Sequence, residues 1–212
     1  MAAQADVVRR LGAEVAGWKV AIRPDGLPVA APLLRHLLVR GDADAAPQHG
    51  SGIEVEIAFH LRSDLPPRQE APYGRHEILE AIGGVLVGVE VIRSRLDNPS
   101  GAPFLLFLAD NLGNGSFVAG AEAEPIKGFD RARCTVSMHG AIIHDASGRH
   151  PNRDPLMPLL AYASRQSDRL GGLRAGQIVA TGSLCGLIQW QGPGVLTARI
   201  EGIGTVEAHL GE

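Results

Sequence analysis

Cysteine is almost missing from this chain, and the two that occur, Cys134 and Cys185, stand far apart with no C-x-x-C spacing. That pattern argues against a thiolate metal site and fits a reducing compartment. Aromatic residues are also scarce, at 4%, so core volume has to come from Val, Leu, Ile and Ala. There is no surplus of positive charge: 20 Lys and Arg are scattered among 23 Asp and Glu, for a formal net charge of −3. A nucleic-acid partner would call for a basic footprint that this chain lacks. No apolar run approaches the roughly 20 residues of a membrane helix, and Met1-Ala2-Ala3-Gln4-Ala5-Asp6 has no basic segment leading into an apolar one. The expectation is a cytoplasmic protein with neither nucleic acid nor membrane as partner.

Glycine and proline, in contrast, are plentiful, at 27 and 14 of 212 residues, and 45% of the chain is hydrophobic. Short strands joined by tight turns follow from that composition, and the length allows one domain, or one domain plus a small appendage; the expectation is a single domain, residues 1–212. Near-helical spacing over residues 5–16 predicts a helix that Gly17 breaks, with Trp18 to Ile22 as a strand after it. The polar stretch from Gly41 to Gly52 reads as a flexible loop, and Glu77 to Ile82 as a short helix. The glycine-rich Leu112 to Gly120 reads as a binding loop. Asp145-Ala146-Ser147-Gly148 reads as a hairpin turn. Asp154 to Leu170 is the clearest helix, with Asp154 as N-cap, Pro155 in the first turn and Gly171-Gly172 as its stop.

The chemistry is carried by acids inside apolar strands. In Ile53-Glu54-Val55-Glu56-Ile57-Ala58-Phe59 the two carboxylates share one face, because side chains alternate along a strand. Such a pair alone is also what a solvated antiparallel strand shows. Glu90 adds weight: it interrupts Val85-Leu86-Val87-Gly88-Val89-Glu90-Val91-Ile92, where a carboxylate is costly unless paired or metal-bound. Three carboxylates, Glu54, Glu56 and Glu90, suit a hard cation, Mg²⁺ or Mn²⁺, rather than zinc. No G-x-S-x-G elbow is present, and His139, His144 and His150 have no zinc-type spacing, so these histidines read as surface or supporting residues.

These residues resemble a known family, the 2-keto-4-pentenoate hydratases and 4-oxalocrotonate decarboxylases of the fumarylacetoacetate hydrolase superfamily. Gly17-Trp18-Lys19-Val20 is similar to its G-x-K-[IV] strand and Glu54 to Phe59 to its E-x-E-x-A-F, with Asp64-Leu65-Pro66 following as D-L-P. Glu90 with Ser94-Arg95 is similar to E-[IV]-x-x-S-R. Ala109-Asp110-Asn111 with Gly115 and Gly120 resembles the A-D-N loop, and Gly176 to Ser183 resembles G-x-x-[IV]-x-T-G-S. The resemblance implies an α+β fold, a mixed sheet rolled into a barrel-like core with flanking helices, in a homo-oligomer. It implies Mg²⁺ or Mn²⁺ held by Glu54, Glu56 and Glu90, and a small 2-keto acid substrate. Lys19 matches the active-site lysine, to stabilise an enolate or, with its pKa lowered by desolvation beside a cation, to move a proton. Asn114 and Ser116 are candidates to contact substrate or order their loop. Thr181 and Ser183 are candidates to offer donors to the substrate carboxylate.

The chain departs from the family in two respects. About 16 residues precede the G-x-K strand, a shortened N-terminal helical region. The segment Leu27 to Leu33 lacks the acid of the family's x-P-D-x-G motif, which is implied in proton transfer or water addition. The implied activity is hydration of a 2-hydroxy-2,4-dienoate to a 4-hydroxy-2-keto acid. The alternatives are decarboxylation of a 2-oxo-3-enedioate, or a non-catalytic keto-acid-binding homologue or partner subunit.

Overall fold

The computed structural model describes residues 2–41, 48–68, 71–124, 132–189 and 192–211. Most of the polar loop expected between Gly41 and Gly52 lies outside them. Two long strands dominate, β4 (Gly52–Leu61) and β5 (Ile82–Ile92), antiparallel along their whole length and connected through helix α2 (Arg75–Ala81). Their valines and isoleucines are β-branched and fit a pleated surface. They centre a mixed sheet in the order β2 (Pro28–Leu34), β1 (Val15–Ile22), β9 (Ile178–Ser183), β4, β5, β6 (Asn114–Ala119) and β3 (Leu38–Arg40), with β10 (Ile188–Gln189) also on β4. β1 runs parallel to β9, and β3 to β6. The sheet curls until β2 touches β6, the barrel-like half-turn expected of the fold.

Alternation then sorts the side chains. Ile53, Val55, Ile57 and Phe59 of β4 and Val85, Val87, Val89 and Val91 of β5 point to one face, where they are buried with Trp18, Val20 and helix α4 (Leu156–Ser164). Each such residue contributes about 1.5–3 kcal/mol by leaving water. Also packed on that face is a second, four-stranded sheet that the sequence reading did not separate: β12 (Gly204–Leu210), β11 (Gly194–Ile200), β7 (Arg133–Met138) and β8 (Ala141–Ser147). The opposite, concave face is lined by the small cluster of Leu33, Ala58, Leu86, Phe117, Ala119 and Ala180. The carboxylates lie on this second face.

Several boundaries differ from the sequence reading for local reasons. Helix α1 (Ala2–Leu11) ends at Gly12, not Gly17: Gly12 has φ +58, and the Ala13 N–H returns to the Val8 carbonyl at 3.0 Å. Gly17 serves a different purpose. A Cβ there would lie 2.1 Å from the Ile178 carbonyl oxygen, so its lack of a side chain lets β1 approach β9. The glycine-rich segment is not a loop throughout; its second half is β6, a buried inner strand. The hairpin turn is at His139-Gly140, both at positive φ, and Asp145 lies within β8. The predicted Asp154–Leu170 helix is shorter, α4 (Leu156–Ser164). Asp154 still accepts the Leu156 N–H at 3.0 Å, but Arg165 leaves helical geometry at φ −142 and ψ 45. Helix α3 (Phe104–Ala109) occupies the apolar run before Asp110.

Candidate metal centre

Glu54 and Glu90 are direct partners across the β4–β5 pair, and Glu56 faces Gly88 one step along. All three carboxylates thus project from one face, with an oxygen of each within 4.8 Å of the others. Among the described residues this is the one cluster with metal-ligating composition. Glu56 and Glu90 are fully buried. At an effective dielectric of about 20, carboxylates this close repel by about 3–4 kcal/mol per pair, so the cluster requires positive charge.

Lys19 supplies part of it. Its ammonium lies 2.5 Å from Glu90 Oε2 and 3.6 Å from Glu54 Oε2. Burial acts to lower its pKa, but the charges of Glu90, Glu56 and Glu54 and the hydrogen bond to Glu90 outweigh it, and the net shift is upward. The lowering expected from sequence is that of a lysine beside a bound cation; with the three carboxylates alone, the shift is upward. Glu56 is pushed well above the usual carboxylate range, first by burial, then by the charge of Glu90; Lys19 and the Gly182 N–H oppose the shift. Glu54 also rises, chiefly through burial, with Lys19 opposing. One ammonium leaves three carboxylates undercompensated. Glu56 Oε1, buried, has no hydrogen-bond partner. A buried acceptor left without a donor, in a pocket of carboxylate oxygens, suits a divalent hard cation.

Two β-bulges aim the supporting groups. Between β5 and β6 the register skips Gly115, so Ile92 pairs with Asn114. The extra residue turns Asn114 onto the carboxylate face, where its amide donates to Glu90 Oε1 at 2.8 Å. Between β4 and β9 the register slips at Thr181-Gly182, and the Gly182 N–H, at φ +120, donates to Glu56 Oε2 at 2.9 Å. His150, read from sequence as a supporting or surface residue, is buried and lies 2.9 Å from the Thr181 carbonyl oxygen through Nε2. Its Nδ1 accepts the Asn152 N–H, so Nε2 carries the proton and donates.

Of the other candidates, Lys19 and Asn114 join the carboxylates directly. Ser116 is buried and pairs with Val91, which places it on the opposite face from Glu90. The hydroxyls of Thr181 and Ser183 donate to backbone: Thr181 to the Ile57 carbonyl at 3.2 Å, Ser183 to those of Val55 and Gly186 at 3.3 and 3.0 Å. They clamp the bulge to β4. Asp110, which sequence left as part of a motif, has a structural task. It accepts the Ser94 hydroxyl at 2.6 Å and the Arg95 N–H at 3.2 Å, which ties the A-D-N segment to the S-R segment after Glu90. The cysteines, distant in sequence, meet beside the site: their mutual hydrogen bond pushes Cys134 up and draws Cys185 down to about 6.

Lys19 and Glu54 form one end of an open cleft of about 630 Å³ whose remaining wall is largely apolar, from Ala21 and Val29 to Ile92, Phe107 and Leu112. No helix among the described residues is long and apolar enough to cross a membrane.

No family model matches the chain. It is 32% identical over 163 residues to a 2-keto-4-pentenoate hydratase of Paraburkholderia phymatum, a match covering 76% of this chain and 60% of that protein. It is 28% identical over 176 residues to 2-keto-4-pentenoate hydratase 3 of Pseudomonas putida, covering 80% and 64%. The chain therefore spans less than two thirds of the length of these relatives. Among solved structures, 4-oxalocrotonate decarboxylase from Pseudomonas putida G7, complexed with calcium and acetate, superposes with a TM-score of 0.77 at 20% identity, covering 98% of this chain and 83% of that one. Fumarylpyruvate hydrolase from Pseudomonas aeruginosa, in complex with Mn²⁺ and pyruvate, gives a TM-score of 0.63 at 14% identity, covering 92% and 88%. The chain is a homologue of the 2-keto-4-pentenoate hydratases, with the fold of 4-oxalocrotonate decarboxylase and the fumarylacetoacetate hydrolase family.

Proposed function

We propose that the chain is a divalent-metal-dependent hydro-lyase that adds water to a 2-hydroxy-2,4-dienoate to give a 4-hydroxy-2-keto acid. The observation that carries this reading is the convergence of Glu54, Glu56 and Glu90 within 4.8 Å beside the Lys19 ammonium, at the end of a cleft. These three residues would hold Mg²⁺ or Mn²⁺, which supplies a Lewis acid for the carboxylate and 2-oxo groups of a keto acid.

The chain's own groups do the rest. Asn114 and Lys19 fix Glu90, and Gly182 fixes Glu56, so the ligand set is pre-positioned. Lys19, as an ammonium, places positive charge and an N–H donor at the cleft wall, where an enolate oxygen gains charge. The apolar walls lower the local dielectric and strengthen that interaction. In the overall reaction the 2-hydroxyl loses its proton and C5 gains one; hydroxyl then adds at C4 and a proton at C3. One water is consumed with no redox change.

Homology to the hydratases and the charge of the cleft both favour hydration over decarboxylation of an enedioate. Arg23, the other cation on the cleft wall, is paired to Asp25 at 2.7 Å, which leaves no free charge there for a second carboxylate. One observation favours a non-catalytic keto-acid binder: β2, Pro28–Leu34, carries no acid. Loss of dienoate absorbance with Mg²⁺ present separates the readings, with titration of Mn²⁺ and oxalate alongside. Turnover that Glu56→Gln abolishes supports the hydratase; binding without turnover supports the binder. Failure to bind Mn²⁺ at all would overturn both.

A further inference from the structure

The cleft is too large for a minimal substrate. A 2-hydroxypentadienoate has eight non-hydrogen atoms; giving each the share of one water in the liquid, about 30 Å³, it fills about 240 Å³. The cleft holds about 630 Å³, so more than half is left beyond the acid, and what lines it is mostly hydrocarbon, with Ser100 and Arg23 as the polar exceptions. Ala21 and Val29 come from β1 and β2, Phe107 from α3, and Leu112 from the turn before β6. Leu112 is held at φ 55, a conformation that a leucine rarely adopts, and it is buried against Val29 and Leu108. A non-glycine residue kept in this region marks a place where the fold over-determines the backbone. The charge at the far end is already used: the Arg23 guanidinium sits 4.6 Å from the centre of the Phe104 ring and pairs with Asp25 at 2.7 Å.

Resting on the keto-acid reading above, we infer that the cleft receives an uncharged hydrocarbon substituent at the distal end of the substrate. The preferred substrate class is then a 2-hydroxy-2,4-dienoate bearing an alkyl or aryl group at C5, not the unsubstituted acid and not a dicarboxylate. The acid head lies at Lys19 and the three glutamates, and the substituent runs along Val29, Phe107 and Leu112 toward Arg23.

The test uses the Mn²⁺-loaded protein and a series of saturated 2-keto acids that bind without turning over, from pyruvate through 2-oxohexanoate to 2-oxooctanoate, titrated by calorimetry. 2-Oxoadipate, matched in length to 2-oxohexanoate, is the charged control. Affinity is expected to rise about three- to fourfold per added methylene, with 2-oxoadipate at least tenfold weaker than 2-oxohexanoate. Leu187 is half-exposed on the cleft wall, and Leu187→Asp is expected to flatten the rise with chain length. A flat series, or tighter binding of 2-oxoadipate than of 2-oxohexanoate, overturns the inference and leaves the keto-acid reading standing when pyruvate still binds. If neither Mn²⁺ nor pyruvate binds, both fall together.

Discussion

His150 and Glu56 hold opposite ends of a single peptide group. The imidazole Nε2–H donates to the Thr181 carbonyl at 2.9 Å, and the N–H of the same peptide, on Gly182, donates to Glu56 Oε2 at 2.9 Å. A hydrogen bond at one end polarises the group and strengthens the bond at the other. His150 therefore orients the Glu56 carboxylate without touching it. Groups that orient ligands in this way are typically worth about 10- to 100-fold in metal affinity. His150→Leu is expected to weaken Mn²⁺ binding by about that factor, whereas His150→Gln, which retains a donor, stays within a few fold. Mn²⁺ titration followed by electron paramagnetic resonance separates the two; equal losses would reduce His150 to simple packing.

Glu56 makes the metal-free protein sensitive to pH. Its folded pKa is raised above the ordinary carboxylate value, so the folded state binds the proton more tightly than the unfolded one. The stability tied to that proton is present below about pH 4.5 and lost as pH rises through the folded pKa. His150 shifts the other way, lowered by burial, so its contribution grows with pH over its own window. Comparison with Glu56→Gln isolates the glutamate. In chelator, the variant should gain in melting temperature over the parent as pH goes from 5 to 8, and added Mg²⁺ should stabilise only the parent. A constant difference across that range would contradict the assignment.

Gly88 is the residue opposite Glu56, and its missing side chain makes room for Phe117. A Cβ there would meet the Phe117 ring at 2.0 Å. The ring is buried and cannot give way without displacing Leu86 or Ala119. Overpacking of this kind costs about 1–3 kcal/mol. Gly88→Ala should lower stability by that amount in urea denaturation, with Phe117→Leu restoring part of the loss in the double variant.

Asn114 carries a hydrogen bond to a charged acceptor, Glu90 Oε1, in a buried site. Bonds of this type are worth about 1.5–3 kcal/mol. Asn114→Ala should lose about that much stability. Asn114→Asp should lose more in chelator, because a fourth carboxylate enters the cluster, and should regain more than the alanine variant on addition of Mg²⁺. Identical responses of the two variants to Mg²⁺ would separate Asn114 from the carboxylate cluster.

The parts of this site that a sequence shows are those governed by alternation. Glu54, Glu56 and Glu90 are legible because a strand with apolar odd positions leaves its acids nowhere to go but the other face. The mixed sheet is not contained in that signal; it is what the resemblance to the hydratase family implies. Asn114 and Gly182 are not legible in this sense, since each reaches the carboxylates through a bulge, and a bulge is a matter of pairing rather than of local composition. The glycines at 113 and 115 read as a loop because glycine marks turns and close backbone approach alike; Gly113 does end a turn, at φ +74, but Gly115 serves approach, with a Cβ there only 2.8 Å from the Val91 carbonyl oxygen. His150 is hidden for a third reason: its partner is a carbonyl 31 residues away, and no spacing rule connects the two. The second sheet is not legible because its strands, β7 and β8 before α4 and β11 and β12 after it, are interrupted by a helix and by two strands of the first sheet, β9 and β10.

The period of two that gathers the acids also makes them vulnerable to a change of parity. One residue inserted in β4 between Gly52 and Glu54 would exchange the roles of its two faces: valine and isoleucine would face Glu90 and Lys19, and two glutamates would be driven into the apolar layer against α4 and the second sheet. Two inserted residues would leave the parity intact and slide the pair one step past Glu90. Length variation among homologues should therefore accumulate in the connections and spare the centre of this strand pair, where a single added codon is worse than almost any substitution.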